Sequence, residues 1–479
     1  MNSDKLSFKE KYSYGIGAIG KDMCCGIIFT YCMLYFTDVL KLSAAFVGTL
    51  FFLAKFWDAI NDLGMGMIVD NTRTKWGKFR PWLVIGTVVN AIVLVCLFTN
   101  WGLSGTTLYV FAAVMYIVWG MTYTVMDIPY WSMLPNLTTD LEERDKIAVI
   151  PRIFASIGGS LLVGGFGLQI MDFLGKGNAQ DGFTRFAWVI AIVFIVTIGI
   201  TVVNVRSADR IETKKSEKTS FKQIIQVIKK NDQLLVAIAV ILTFNFAMNC
   251  ISGVQTYYFI YVTGDKGLFS IFTMFAGFAE IFGLIIFPKL AKRMSKKQVY
   301  GLASGIPVIG LIILLIIGIV IPKNYILTAV AGICVKLGSG LQLGTVAVVL
   351  ADVVDYGEYK LGTRNESVIF SIQTLLVKFA AALGTLFTGF ALDATGYLPD
   401  AVQSAATING MRIIMIGLPI IFVIISFIIY KKYYILNGKY MTRIMNILSL
   451  KKEEDVENRV VENNQSKNLQ EGNYADSIS

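Results

Sequence analysis

The sequence predicts an all-α integral membrane protein of twelve transmembrane helices in two six-helix halves. Three observations carry this. The 479 residues are 55% hydrophobic and only 16% charged, where a soluble domain has roughly 45–50% and about 25%. Charges are also missing over long runs: 46 residues separate Arg80 from Asp127 without one, and further uncharged stretches cover 153–171, 186–205, 233–264, 298–322 and 413–430. A bilayer span needs about 20 apolar residues, so the longest run holds two spans and the others one each. Finally, the polar connections alternate between strongly basic and near neutral.

Taken in order, the spans are expected at 13–37, 44–69, 81–99, 107–134, 152–171, 186–205, 235–261, 268–288, 299–321, 325–351, 367–391 and 409–431. The basic connections are 70–80 (DNTRTKWGKFR), 206–230 and 289–297 (KLAKRMSKK). Basic loops stay in the cytoplasm, which puts both termini of an even-numbered bundle inside the cell membrane. The longest internal polar segment, 206–232, splits the spans six and six. The expected units are therefore an N-terminal bundle over 1–205, a cytoplasmic middle loop over 206–234, a C-terminal bundle over 235–431 and a cytoplasmic tail over 432–479. Charged links are expected after span 4 (DLEERDK) and span 10 (DVVDYGEYK), matching positions that point to an internal repeat. The start, MNSDKLSFKEK, is polar and lacks the apolar core of a cleaved leader. Residues 451–479 are polar and expected to be disordered.

Composition also excludes functions. The chain has no histidine, which removes imidazole catalysis and imidazole metal ligation. Its six cysteines, Cys24, Cys25, Cys32, Cys96, Cys250 and Cys334, lie in apolar stretches without metal-ligand spacing and read as buried free thiols. No nucleophile–base pairing is visible, so an enzyme is not expected. The net charge of +10 follows the loops and marks topology, with no nucleic-acid site.

The informative residues are the charges inside spans, which cost about 2.5–3.5 kcal/mol each on insertion scales and persist where they face a cavity. Asp58 and Asp62 in span 2 are four apart and share a helix face. Two carboxylates there become tolerable with a cation between them, with one protonated, or with a base such as Lys55 or another helix's lysine beside them. Asn61 adds a neutral oxygen of the kind hard monovalent cations take. In span 4, Tyr123, Asp127 and Trp131 fall at i, i+4 and i+8, one helical stripe, with the carboxylate and aromatic faces that serve a sugar. Thr124 lies one residue off the stripe, within reach of a cation. Arg152 faces either the cavity or the interface. Lys378 is deep in an apolar run of span 11. Glu280 and Lys336 are expected to pair across the C-terminal half.

The segments GAIGKD (17–22), FWDAINDLGMG (56–66), KWGKFRPW (75–82), WGMTYTVMDIPYW (119–131) and ADVVDYGEYKLGTR (351–364) together resemble the glycoside–pentoside–hexuronide:cation symporters of the major facilitator superfamily. The likeness covers about residues 10–440 and is strongest to the melibiose-carrying members. It implies the major facilitator fold, a cation site for sodium, lithium or a proton at Asp58, Asn61, Asp62 and Thr124, and a sugar cavity lined or supported by Lys21, Asp22, Tyr123, Asp127, Trp131, Arg152, Gln373, Thr374 and Lys378. By the same likeness Lys378 stands between the two sites. Departures from it are Leu343 in place of a cavity tryptophan, Phe29 in place of a tyrosine, and the new charges Glu280 and Lys336.

The expected function is secondary active symport of a glycoside, such as a melibiose-like α-galactoside, with Na+, Li+ or H+ by alternating access and without a cofactor. The partners are the glycoside, the monovalent cation and the lipid bilayer. A β-glucuronide or a xyloside is the rival cargo. An uncoupled sugar facilitator or a sensor is the rival class.

Overall fold

The computed structural model describes residues 6–138, 141–205, 229–362, 366–399 and 401–450. Among these, twelve helices are long and apolar enough to cross a membrane. They are α1 (Phe8–Val39), α2 (Ala44–Asn71), α3 (Arg80–Leu97), α4 (Gly105–Met133), α5 (141–175), α6 (Ala179–Asn204), α7 (Asp232–Val262), α8 (Lys266–Arg293), α9 (Lys296–Ile319), α10 (Tyr325–Leu361), α11 (Glu366–Ala394) and α12 (Ala405–Tyr433). Each matches one expected span. In α1–α6, α1 packs on α5 and α6, and α4 on α2 and α3; in α7–α12, α10 packs on α8 and α9, and α7 on α11 and α12.

Local chemistry sets the helix ends. Ser7, Ser43, Asn178, Asn231, Asn324 and Ser404 each accept a hydrogen bond from a backbone N–H of the first turn, which satisfies donors that the helix leaves open. Ser295 and Gln298 form a reciprocal capping box at α9. Pro81 opens α3, where its missing N–H costs nothing. Pro129 lies inside α4, which continues through it to Met133.

Two expected links are helical. DLEERDK carries the first turns of α5 from Leu141 onward, and DVVDYGEYK forms the last turns of the 37-residue α10. Hydropathy reports where lipid contact ends, and a helix can run on past that point into polar surroundings. A further helix over 438–450 follows α12. Its Met441, Ile444 and Leu448 are buried in the same cluster as Val353, Ile369 and Tyr434 of the C-terminal half, so the start of the expected tail docks on the bundle. The expected middle loop falls largely on 206–228, and the tail's end on 451–479; both lie outside the described residues. All six cysteines are free, with Cys24, Cys32 and Cys250 buried.

The termini, the α2–α3 turn and the ends of α6 and α10 share one end of the bundle, here the termini end. The α1–α2, α5–α6, α7–α8 and α11–α12 turns share the other, the far end. At the far end α1 and α7 both finish in a π-helical turn, Tyr35–Val39 and Tyr258–Val262, equivalent places in the two halves.

Candidate functional site

Near the middle of the bundle a cavity of about 250 Å³ is lined by α1, α2, α4 and α11. Lys21, Asp22, Cys25 and Phe29 reach it from α1; Lys55, Asp58 and Asp62 from α2; Trp119, Gly120, Tyr123, Thr124 and Asp127 from α4; Lys378 from α11. Spacings of three and four along α1, α2 and α4 aim these side chains at one place.

One group of contacts centres on Lys21, which is 4% exposed. Its Nζ donates to Asp127 Oδ1 (2.8 Å) and Tyr123 Oη (3.2 Å) and lies 3.4 Å from Asp22 Oδ2. A lysine so deep in an apolar bundle is held there by the two carboxylates around it. Asp22 Oδ2 is itself buried and accepts no hydrogen bond. A buried acceptor left open costs about 1–3 kcal/mol, and a hydroxyl donor entering the cavity would recover that. The rings of Trp119 and Tyr123 stack, centroids 5.1 Å apart, and extend the α4 stripe one turn toward the far end.

The second group centres on Asp62. Its Oδ1 accepts from Thr124 Oγ1 (3.1 Å), and its Oδ2 accepts from Nζ of Lys378, across from the other half. Asp58 Oδ2 lies 3.6 Å from Nζ of Lys55, and that ammonium also sits 4.6 Å from the centre of the Phe29 ring, a cation–π contact. Gly120 makes this arrangement possible: a Cβ there would stand 2.7 Å from Asp58 Oδ1. Each expected cation-site carboxylate thus has a lysine beside it.

Eight of the expected site residues line the cavity: Lys21, Asp22, Asp58, Asp62, Tyr123, Thr124, Asp127 and Lys378. The other five are not among its described lining. Asn61 turns to α4, its Nδ2 donating to the Met121 carbonyl (3.4 Å). Trp131 is half-buried with its ring 5.2 Å from Lys21 Nζ, a cation–π contact with the lysine. Arg152 is exposed and lies seven residues before Gly159, on the face of α5 that meets Asp22, two turns nearer the termini end. Gln373 and Thr374 lie about one turn from Lys378 toward that same end. Phe29, Lys55, Trp119 and Gly120 enter the site from the structure. Trp119 and Gly120 had a signal in the sequence, each four residues before a site residue on α4.

Glu280 and Lys336 do pair, Nζ to Oε2 at 3.3 Å and to Oε1 at 3.5 Å, between α8 and α10.

The halves are joined at the far end. Asp38 accepts hydrogen bonds from the hydroxyls of Thr37, Tyr261 and Tyr397, and Thr37 meets Tyr257 at 2.9 Å. Burial foremost, then the Asp38 carboxylate, push the Tyr397 phenol well above the ordinary tyrosine range, so it stays protonated and donates. Nearby, Nζ of Lys266 donates to both oxygens of Asp172 (3.0 Å), and Gln169 bonds to Ser270. Gly48 of α2 and Gly389 of α11 touch where neither has room for a side chain. A second cavity, about 570 Å³, lies at this end, lined in part by Asp38, Lys41, Gln180 and Lys266.

Twelve apolar helices around a central, charge-lined cavity, closed at one end, define a multi-pass membrane transporter. The chain belongs to the MFS/sugar transport protein family, which matches residues 13–437, and within it to the glycoside–pentoside–hexuronide symporter type; it transports sugar and is not an enzyme. It is 30% identical over 424 residues to the isoprimeverose transporter of Lactiplantibacillus pentosus, covering 88% of this chain and 87% of that one. It is 29% identical to the raffinose carrier protein of Pediococcus pentosaceus, covering 88% and 68% respectively. Among solved structures, a bacterial homologue of the human lysosomal transporter Spinster matches with a TM-score of 0.62 at 14% identity, covering 88% of this chain and 95% of that one, a likeness of fold.

Proposed function

We propose that the protein is a symporter that carries a glycoside of two or more sugar rings together with a monovalent cation by alternating access. The observation that carries this is the sharing of the Asp62 carboxylate between Thr124 of one half and Lys378 of the other. A Na+ or Li+ ion, or a proton, entering at Asp58 and Asp62 competes with the Lys378 ammonium for the same oxygens. Its arrival loosens a tie between the halves and neutralises a carboxylate one turn of α4 away from Asp127. Asp22 and Asp127, spaced by Lys21, then take sugar hydroxyls, and Trp119 and Tyr123 offer apolar faces. Asn61, Trp131, Arg152, Gln373 and Thr374 join the site in other states of the cycle.

By linkage, sugar and cation tighten one another by the same factor, typically about 1–3 kcal/mol. The membrane potential adds about 2.3 kcal/mol per charge per 100 mV. The basic connections argue that the termini are cytoplasmic in the cell membrane, with 1–205 and 235–431 as the two rocking units. The cavity lining carries three lysines and four aspartates, a balance that one cation brings to neutrality. That favours a neutral glycoside over a hexuronide.

The test is uptake by reconstituted vesicles under imposed Na+, Li+ and H+ gradients. Asp62→Asn is expected to abolish gradient-driven accumulation while counterflow of sugar persists. Asp127→Asn is expected to lose sugar binding with cation binding kept. A gradient effect that survives in Asp62→Asn removes the cation assignment.

A further inference from the structure

We propose that Glu280 and Lys336 are a further contact of the C-terminal half with the cargo, a charged dyad that takes neighbouring hydroxyls on the second ring of the glycoside. The proposal rests on the glycoside reading above.

The dyad faces the cleft between the halves. On α8, Thr273 and Gly277 abut Gly164 and Ser160 of α5; a Cβ on Gly277 would stand 2.3 Å from Ser160 Cβ. Glu280 follows Gly277 by three residues, on the same helix face and about 4–5 Å further along the axis. Gly159, next to Ser160, is the residue that faces Asp22. Glu280 therefore stands within about a turn of the Asp22 level, across the cleft from it. On α10, Lys336, Leu343 and Ala347 form one stripe at i, i+7 and i+11, and Leu343 and Ala347 are exposed. The flanks of α10 are taken by α8 through Gly340 and Gly344 and by Met248 of α7, on Ser339. Both α7 and α8 touch the N-terminal half, through Thr256 on Thr30 and Gly277 on Ser160. The stripe between them opens into the cleft and not onto lipid.

The dyad is also loosely closed. Its contacts of 3.3 and 3.5 Å exceed the ~2.7–2.9 Å of a tight charge-assisted bond. Each side chain is about one-third exposed. Among the described residues Lys336 Nζ hydrogen-bonds only to Glu280, so donors and carboxylate lone pairs remain for a guest. An ammonium donor beside a carboxylate acceptor fits adjacent sugar hydroxyls, each of which both donates and accepts. The cavity at Asp22 and Asp127, about 250 Å³, is smaller than the ~300–1,000 Å³ of sites for drug-sized ligands and suits one ring. The rest of a disaccharide has to lie toward the facing half.

The experiment measures binding and uptake of melibiose, lactose and isoprimeverose beside methyl α-galactoside, methyl β-galactoside and methyl α-xyloside, in vesicles holding the full chain. For a disaccharide that the native protein carries, Glu280→Gln/Lys336→Gln is expected to lose about tenfold or more in affinity. The matching methyl glycoside is expected to change less than about twofold. Glu280→Asp, which retracts the carboxylate but keeps the charge pair, is expected to lose disaccharide affinity at an unchanged melting temperature. Equal losses for both ligands in Glu280→Asp, or no loss in either variant, overturn the proposal. Asp127→Asn separates the two readings: if it abolishes both ligands while the dyad variants bind disaccharide normally, only the dyad falls. If Asp127→Asn binds both normally, or the native protein moves none of the three disaccharides, the glycoside reading falls and the dyad with it.

Discussion

The two ends of the bundle are built from similar residues but wired differently. At the far end, the polar contacts run between the halves: Asp38 to Tyr261 and Tyr397, Thr37 to Tyr257, Lys266 to Asp172. At the termini end, three buried or half-buried carboxylates are held by partners of their own half. Asp352 accepts from Lys296 and Tyr434 (both 2.5 Å), Asp232 from Tyr356 and Lys360, and Glu143 from the Leu6 amide, with Lys11 2.7 Å away. Contacts of the first kind resist separation of the halves. Contacts of the second kind stiffen each half. The far end is thus where these polar contacts tie the two halves together, the side opposite the termini. Asp62 and Lys378, midway between, are where the two patterns meet.

This contrast can be broken most severely by fixing the seal. In a cysteine-free background, Asp172→Cys with Lys266→Cys, joined by a short dithiol-reactive linker, should reduce uptake to the vesicle background. Cleaving the linker should restore it. Uptake that continues in the linked protein would mean that the far end does not open during transport. Next in size is Asp352→Asn, which leaves the Lys296 ammonium, about one-third exposed, and the Tyr434 hydroxyl facing a neutral amide. It should cost about 1–2 kcal/mol of stability, seen as a lowered melting temperature, without changing which end is accessible. Asp38→Asn should do the reverse: little change in melting, but a shift of about tenfold or more toward far-end opening, read as faster thiol labelling of Cys25 from that side. Smallest is Lys266→Met. Its pair with Asp172 is about half exposed on both sides, and such pairs contribute about 0–1 kcal/mol. The shift in labelling should stay below about fivefold.

Within a helix, the site was legible before any packing was known. Asp58 and Asp62, or Tyr123 and Asp127, share a face because the α-helix repeats every 3.6 residues, and buried charge is too costly to be idle. The charge-free runs located seven of the twelve spans for a similar reason, since lipid tolerates little else; the other five each carry at least one charge. Helix ends were less legible. Leu141 and Leu361 lie in charged stretches where hydropathy falls although the helix persists. The docking of 438–450 was also missed, because its i, i+3, i+7 apolar face is too short to stand out from a polar tail.

What the sequence by itself determined is the set of spans, the faces that carry charge and the family of transporter. The tertiary structure alone decided which lysine meets which carboxylate: Lys378 at Asp62, Lys55 beside Asp58, Lys21 between Asp22 and Asp127. It also decided that Trp131 sits against Lys21, that Asn61 turns to the α4 backbone and that polar contacts tie the halves at the far end. Spacing along a helix is fixed by covalent geometry. Distances between helices depend on packing register and on how far the two halves have rocked, and a transporter has to keep more than one answer to that within reach of thermal energy.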